Sequence, residues 1–257
     1  GYCGAVGTLG AAAQGGRSMS FIEHLRQAAG TSGYNLSEEQ IRQFDIYYQL
    51  LIEWNQKMNL TAITEPAEVA VKHMVDSLTA FDENLFFSGA SVADVGTGAG
   101  FPGVPLKLFR PDLQLTLIDS LQKRLNFLTA VIEAAGMKDV AILHYRAEEA
   151  GQKKELREAF DFVTSRAVAR LPVLCELCLP LVKIGGYFVA LKGAQYETEL
   201  VEAERALRVL GAEVAQVKPV QLPGLEDIRA VIYLKKVKAT PKAYPRRAGL
   251  PEKKPLI

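Results

Sequence analysis

Ser91-Val92-Ala93-Asp94-Val95-Gly96-Thr97-Gly98-Ala99-Gly100-Phe101-Pro102-Gly103 is the stretch that decides the fold. An apolar run with β-branched valines ends abruptly in four glycines within eight positions, and helix-compatible sequence, Val104 to Phe109, follows. The pattern predicts a strand, a tight turn and a helix start. Glycine is needed where the backbone takes positive φ or must lie against a ligand with no Cβ in the way. The first amides of the next helix lack intrahelical partners, so a polar or anionic ligand can dock there.

Downstream, strand patterns recur near residues 91–95, 113–118, 140–145, 160–165, 185–192, 213–220 and 228–236, with helical patterns in most of the gaps. That alternation predicts an α/β fold with a mostly parallel, Rossmann-like sheet of seven strands, covered on both faces. The last two runs are joined only by Leu222-Pro223-Gly224-Leu225-Glu226-Asp227. A parallel crossover needs a dozen residues or more, so the closing pair is expected to be antiparallel. This departs from the plain six-strand dinucleotide order.

Upstream, residues 20–85 read as helices. Ser37 with Gln40 makes a capping box, and Ile41, Phe44, Tyr48, Leu51 and Trp54 or Met58 repeat at helical spacing. A second helix is expected from Pro66 through Val69, His73, Asp76 and Ala80. The predicted organisation is an extension over residues 1–19, an N-terminal helical module over 20–88, the sheet domain over 89–237 and a basic tail over 238–257. Residues 1–18 are rich in Gly and Ala, precede a plausible start at Met19 and fit a secretory signal poorly, so disorder is expected there.

The hydrophobic fraction of 49% and charged fraction of 23% are ordinary for a globular protein able to bury a core. Three cysteines cannot form a disulfide framework for this length, which points to a reducing compartment, the cytoplasm by default. No apolar run approaches a membrane span. The net charge of +1 is unevenly spread: from Lys235 onward there are eight Lys/Arg against Glu252 alone. That tail either contacts a polyanion or is simply solvated.

The glycine turn accommodates two cofactors. Gly98-Ala99-Gly100-Phe101-Pro102-Gly103 satisfies the dinucleotide pattern G-x-G-x-x-G. The alternative register, from Asp94 through Gly96 and Gly98 to Gly100, puts an acid at the strand end, suited to a cationic amino group and poorly placed beside a pyrophosphate. A second strand, Leu115 to Ile118, ends in Asp119-Ser120. Asp119 can bind both hydroxyls of a ribose at the carboxyl edge of the sheet, a role preferred over capping the helix after Leu121.

These residues resemble a class I S-adenosylmethionine-dependent methyltransferase, and more closely the RsmG (GidB) family, which methylates N7 of a guanine in bacterial small-subunit ribosomal RNA. The resemblance covers most of residues 35–257. It rests on Trp54-Asn55 with Asn59-Leu60-Thr61-Ala62, His73 with Asp76-Ser77, Asp94 to Gly103, Asp119-Ser120, Ser165-Arg166-Ala167, Leu191-Lys192-Gly193, and Tyr244 to Pro251. It implies S-adenosylmethionine as cofactor, with Gly96 and Phe101 lining its site, Ala147-Glu148 near the adenine and Arg166 at the fourth strand end. The expected cofactor set is Asp94, Gly96, Gly98, Phe101, Asp119, Ser120, Ala147, Glu148 and Arg166. It further implies 16S ribosomal RNA or the small subunit as partner, with the family's guanine-527 as site, and a monomer without membrane or metal.

The acceptor loop bears on the chemistry. Adenine amino methylation commonly uses an Asn/Asp-Pro-Pro-aromatic loop after the fourth strand; here that position reads Ser165-Arg166-Ala167-Val168. Carbon-5 methylation of pyrimidines needs a cysteine there, and a hydroxyl acceptor needs a base. Guanine N7 carries an in-plane lone pair and no proton, so it needs neither. No catalytic residue is assigned, and methyl transfer rests on holding donor and acceptor in line.

Arg166 is expected to contact the cofactor, guanine O6 or a phosphate, against a salt bridge to Asp161 or Glu148. Lys192 either holds an RNA phosphate or is solvated. Asn55 and Asn59 either read a base edge from one helix face or cap the helix end. His73 and Asp76 are expected to share a local hydrogen bond. Cys175 and Cys178, a C-x-x-C inside an apolar helix, are read as core thiols, and His144 as structural. The competing functions are a methyltransferase for another RNA site or a small molecule, an NAD(P)-dependent oxidoreductase, and a nonenzymatic RNA-binding module.

Overall fold

The computed structural model describes residues 19–257. The expected disorder of residues 1–18 lies outside the described residues. Helix α1 (Phe21–Thr31) is followed by α2 (Glu38–Asn55), whose capping box forms as the sequence predicts: Gln40 N–H donates to Ser37 Oγ at 3.1 Å and Ser37 N–H to Gln40 Oε1 at 2.8 Å. The Gln40 amide also donates to the Leu108 and Phe109 carbonyls, tying α2 to a helix of the sheet domain. A longer helical stretch comes next, built from α3 (Pro66–Glu68), a π-helical segment (Val69–Val75) and α4 (Asp76–Leu78). It ends before Ala80, short of the expected bound. π-Segments are rare and concentrate at functional sites.

From residue 91 the order is β1 (Ser91–Val95), α5 (Gly103–Phe109), β2 (Gln114–Asp119), α6 (Gln122–Ala135), β3 (Val140–His144), α7 (Ala147–Ala150), β4 (Phe160–Ser165), α8 (Leu171–Cys178), β5 (Val182–Lys192), α9 (Tyr196–Glu202), α10 (Glu204–Leu210), β6 (Ala212–Val220), β7 (Arg229–Lys236) and α11 (Leu250–Lys253). The seven strands form one sheet in the order β3-β2-β1-β4-β5-β7-β6. Strands β1 to β5 pair in parallel, and β7 is antiparallel to both β5 and β6. The short 222–227 connection therefore does what its length dictates, with β7 inserted between β5 and β6.

Alternation along β1 feeds two cores. Val92 packs with α2, α5 and α6 residues on one face, and Ala93 and Val95 pack with α8 and α10 residues on the other. The N-terminal helices share the first core: Phe44, Tyr47 and Leu51 are fully buried with sheet residues Leu115 and Leu117. Each such side chain contributes about 1.5–3 kcal/mol of burial.

The tail is docked rather than extended into solvent. Arg157 donates to the carbonyls of Thr240, Pro241 and Tyr244, and buried Glu176 holds Arg246 at 2.7 Å. Lys236 is wholly buried, 3.0 Å from Glu158. Of the eight basic residues from Lys235 onward, Lys238, Lys242, Arg247, Lys253 and Lys254 remain exposed.

Candidate functional site

The carboxyl ends of β1, β2, β3 and β4 converge on the glycine turn. Gly96 and Thr97 donate their N–H groups to the Ile118 carbonyl at 2.9 and 3.1 Å, so the turn is sewn to the end of β2. Gly96 has φ +65°, a left-handed conformation that disfavours other residues, and open space where its Cβ would be. Gly100 is constrained differently: an added Cβ would lie 2.6 Å from the Tyr47 hydroxyl and 2.9 Å from Leu128. Tyr47 donates that hydroxyl to the Ala99 carbonyl, which fixes the turn from the side of α2.

Beside the turn lies a cavity of about 190 Å³. Gly96, Asp119, Ser120, Ala147 and Glu148, all expected there, line it together with Ser165 and Ala167. Asp119 is 2% exposed. Its Oδ2 accepts from Gly98 N–H and its Oδ1 from Leu121 N–H, both at 2.9 Å, with Arg124 3.5 Å away. The Leu121 contact is a local turn and not a helix cap, since Leu121 is the N-cap of α6 and no side chain caps that helix. A carboxylate has about four acceptor positions, which leaves capacity for ligand hydroxyls. Glu148 Oε2 accepts from Gly249 N–H at 2.8 Å, bringing the tail to the cavity rim. Arg124, Tyr145, Leu174 and Leu177 line it as well. Sequence reasoning missed all four, although Tyr145 directly follows a strand end and was findable.

Four expected cofactor residues stand elsewhere: Asp94, Phe101, Gly98 and Arg166. Asp94 is fully buried inside the turn instead of facing the cavity. Its Oδ2 accepts from Thr97 Oγ1 at 2.7 Å and Gly103 N–H at 3.0 Å, and its Oδ1 from Thr164 Oγ1 at 2.9 Å. Burial raises its pKa to about 6 against the opposing pull of those hydrogen bonds. The acid thus builds the turn. Phe101 packs between Tyr47 and His73, its ring 4.3 Å from the imidazole and nearly parallel to it. Gly98 contributes its N–H to Asp119 without lining the cavity.

Arg166 belongs to a second, larger cavity of about 460 Å³ that shares Ala167 with the first. Its partner is neither Asp161 nor Glu148. Nη1 donates to Asp76 Oδ2 at 3.0 Å and to the Lys72 carbonyl at 2.9 Å, and Nη2 donates to His73 Nδ1 at 2.9 Å. Arg166 therefore bridges His73 and Asp76, which share no direct hydrogen bond. Because Nδ1 accepts, the imidazole proton sits on Nε2 and faces Thr61 Oγ1 at 2.7 Å. Burial first, and the Arg166 cation second, lower the His73 pKa to about 3, so the ring is neutral.

Arg229, at the start of β7, also holds Asp76, with Nε 2.7 Å and Nη2 2.6 Å from Oδ1. Nothing local in the sequence marks Arg229 or Lys72 as neighbours of this cavity, since they come from segments distant in the chain. Lys192 lines the cavity but is neither solvated nor free. It is 6% exposed, and its ammonium lies 2.9 Å from Glu199 and donates to the Ala169 carbonyl. Asn59 is exposed and lies beyond the end of α2, so it shares no helix face with Asn55. Asn55 Oδ1 accepts from Leu60 and Thr61 N–H, which folds the following loop against the helix end, while the C-cap is Gln56. Cys175 and Cys178 are buried core thiols with raised pKa values, and His144 Nε2 bonds the Ser120 carbonyl. No group of three metal-ligating side chains occurs among the described residues, and none of their helices is long and apolar enough to cross a membrane.

Comparison with known proteins places this arrangement. A family profile described as rRNA small subunit methyltransferase G (GidB) matches residues 40–228. A Desulforamulus reducens protein named ribosomal RNA small subunit methyltransferase G is 52% identical over 90% of this chain and 97% of its own length. A protein of the same name from Lactobacillus johnsonii is 52% identical over 87% of this chain and 95% of its own. Among solved structures, a SAM-dependent methyltransferase from Aquifex aeolicus shares the fold, with a TM-score of 0.50 and 17% identity over 71% of this chain and 97% of that one.

Proposed function

The chain belongs to the rRNA small subunit methyltransferase G family, and from that membership we propose that it transfers a methyl group from S-adenosylmethionine to N7 of a guanine in 16S ribosomal RNA, at the family's guanine-527. The cavity at the glycine turn fits the cofactor. Asp119 offers acceptor capacity for the ribose hydroxyls, Ile118, Tyr145, Leu174 and Leu177 offer apolar walls for an adenine, and the open space at Gly96 admits a ligand against the backbone. When bound, S-adenosylmethionine supplies an electrophilic methyl on a sulfonium. The cytoplasm, where ribosomal RNA is processed, is the proposed location.

The observation that carries the N7 assignment is the engaged state of the buried histidine and acids around the larger cavity. His73 has both ring nitrogens occupied and is held neutral. Asp76 has both oxygens on guanidinium groups, and Glu199 is taken by Lys192 and the Leu171 N–H. Such groups are poor bases, because taking a proton from substrate would first require breaking an ion pair or, at His73, the Arg166 hydrogen bond. An acceptor whose lone pair is already free asks nothing of them. The chain's work is then to orient the base and exclude water, which supplies most of the rate in an in-line transfer. Transfer of labelled methyl to small-subunit RNA lacking the modification, followed by mass identification of the nucleoside, tests the proposal. Label in 7-methylguanosine is the expected result; label on a ribose or an exocyclic amine overturns it.

A further inference from the structure

We infer that Arg229 and Arg166, mounted on the two oxygens of buried Asp76, form a binding site for one backbone phosphate of the RNA. The inference rests on the RNA-methyltransferase reading above and assigns Arg229 a role that no local motif indicates.

Charge balance is the first support. Asp76 is 1% exposed and meets two guanidinium groups, 3.0 Å from Arg166 and 2.6 Å from Arg229. One carboxylate against two permanent cations leaves one positive charge at the cavity wall. Lys72 lines the same cavity, its ammonium paired with Glu68 at 3.1 Å. By contrast, Lys192 and Glu199 match one to one and offer an anion nothing. Asp227 is the remaining acid of the lining and is exposed at the rim.

Geometry is the second support. Arg229 spends Nε and Nη2 on Asp76 Oδ1, and its Nη1 makes no hydrogen bond to the described residues. Arg166 is anchored by Asp76, the Lys72 carbonyl and His73, and its guanidinium lies 5.0 Å over the Phe101 ring. A guanidinium fixed on one edge by a buried acid keeps its other donors in a set direction at no further entropic cost. The cavity shares Ala167 with the cofactor cavity, so a phosphate held here lies close to the base being methylated. Ile63, Leu222 and Leu225 supply apolar lining beside these cations, the mixture a nucleotide requires.

The test is Arg229→Gln in the full chain, with affinity for a small-subunit RNA fragment measured across a salt series and S-adenosylmethionine affinity measured calorimetrically. Loss of one phosphate contact is expected to lower RNA affinity about tenfold and to reduce the slope of log K against log salt by about 0.7 to 0.9. S-adenosylmethionine affinity is expected to stay within about twofold, and Arg229→Lys is expected to restore the slope. An unchanged slope overturns the inference. A comparable loss of S-adenosylmethionine affinity also overturns it, because the pair would then serve the cofactor's carboxylate. On the wild-type protein, RNA is expected to protect Arg229 from dicarbonyl modification mapped by mass spectrometry; equal modification with and without RNA overturns the site independently of any variant. Wild-type methyl transfer to the same RNA separates the readings: transfer with an unchanged slope removes this site alone, and no transfer removes the parent reading.

Discussion

The two cavities at the strand ends are built by opposite means. The smaller one is centred on consecutive strand ends, with Gly96 after β1, Asp119-Ser120 at the end of β2 and Ala147-Glu148 after β3, and is walled by Ile118, Tyr145, Leu174 and Leu177. The larger one takes its polar wall from four distant segments, with Lys72 and neutral His73 on the π-helical stretch, Arg166 after β4, Lys192 on β5 and Arg229 on β7. The glycine turn of the first is held by peptide hydrogen bonds to Ile118 and by the Tyr47 hydroxyl. The second is held by ion pairs around Asp76, so its shape depends on charge. A cofactor of fixed structure suits the former, and a polyanion arriving from solvent suits the latter.

The contrast breaks most sharply at Asp94. It donates nothing to the cavity, yet it accepts three buried hydrogen bonds that join β1, the turn and β4. Asp94→Ala leaves a peptide N–H and two threonine hydroxyls without that partner, at a cost of about 3–5 kcal/mol. Urea unfolding is expected to show that loss, and preserved stability would mean the turn does not depend on the acid. Asp119→Ala is expected to act on binding as well as on the turn, since its carboxylate lines the cavity and also accepts from Gly98 and Leu121 N–H. A charged hydrogen-bond partner lost to the ribose weakens S-adenosylmethionine by about a hundredfold, or ~2.7 kcal/mol, in calorimetry. Unweakened binding would remove Asp119 from the cofactor site.

The same contrast explains what the sequence could and could not announce. Asp119 was readable because an apolar run ending in an acid beside a glycine turn is a local pattern, and parallel pairing of β1 with β2 fixes its position. Asp94 was equally visible, but its direction was not. Whether a strand-end acid turns outward to a ligand or inward to Thr164 depends on a residue 70 positions away. Lys192 looked like a free cation until α9 brought Glu199 against it. Arg229 had no signature at all, because its meeting with Asp76 requires β7 to insert beside β5 and the N-terminal helices to cover that edge. The basic tail was legible as charge and illegible as structure, since Glu158, Glu176 and Arg157 dock it.

The smallest effect is the one that most directly probes how charge shapes the larger cavity. His73 is held at a pKa of about 3 by burial and by Arg166, against an ordinary value of 6.5. The unfolded chain therefore binds a proton that the folded one refuses between about pH 3 and 6.5, so this residue costs stability progressively as pH falls through that window. Asp94 works the other way, because its raised pKa of about 6 favours the folded state as pH falls from about 6 toward 4. The two partly cancel in the wild type, which hides both. His73→Gln keeps a neutral polar group and removes only the imidazole titration. Its stability relative to wild type is expected to improve by about 2 kcal/mol between pH 8 and pH 5 in paired denaturation curves, whatever constant penalty the lost ring contacts impose. A difference that stays flat across that range would mean that His73 titrates normally in the folded protein, and the Arg166 guanidinium would then not be fixed against a neutral ring.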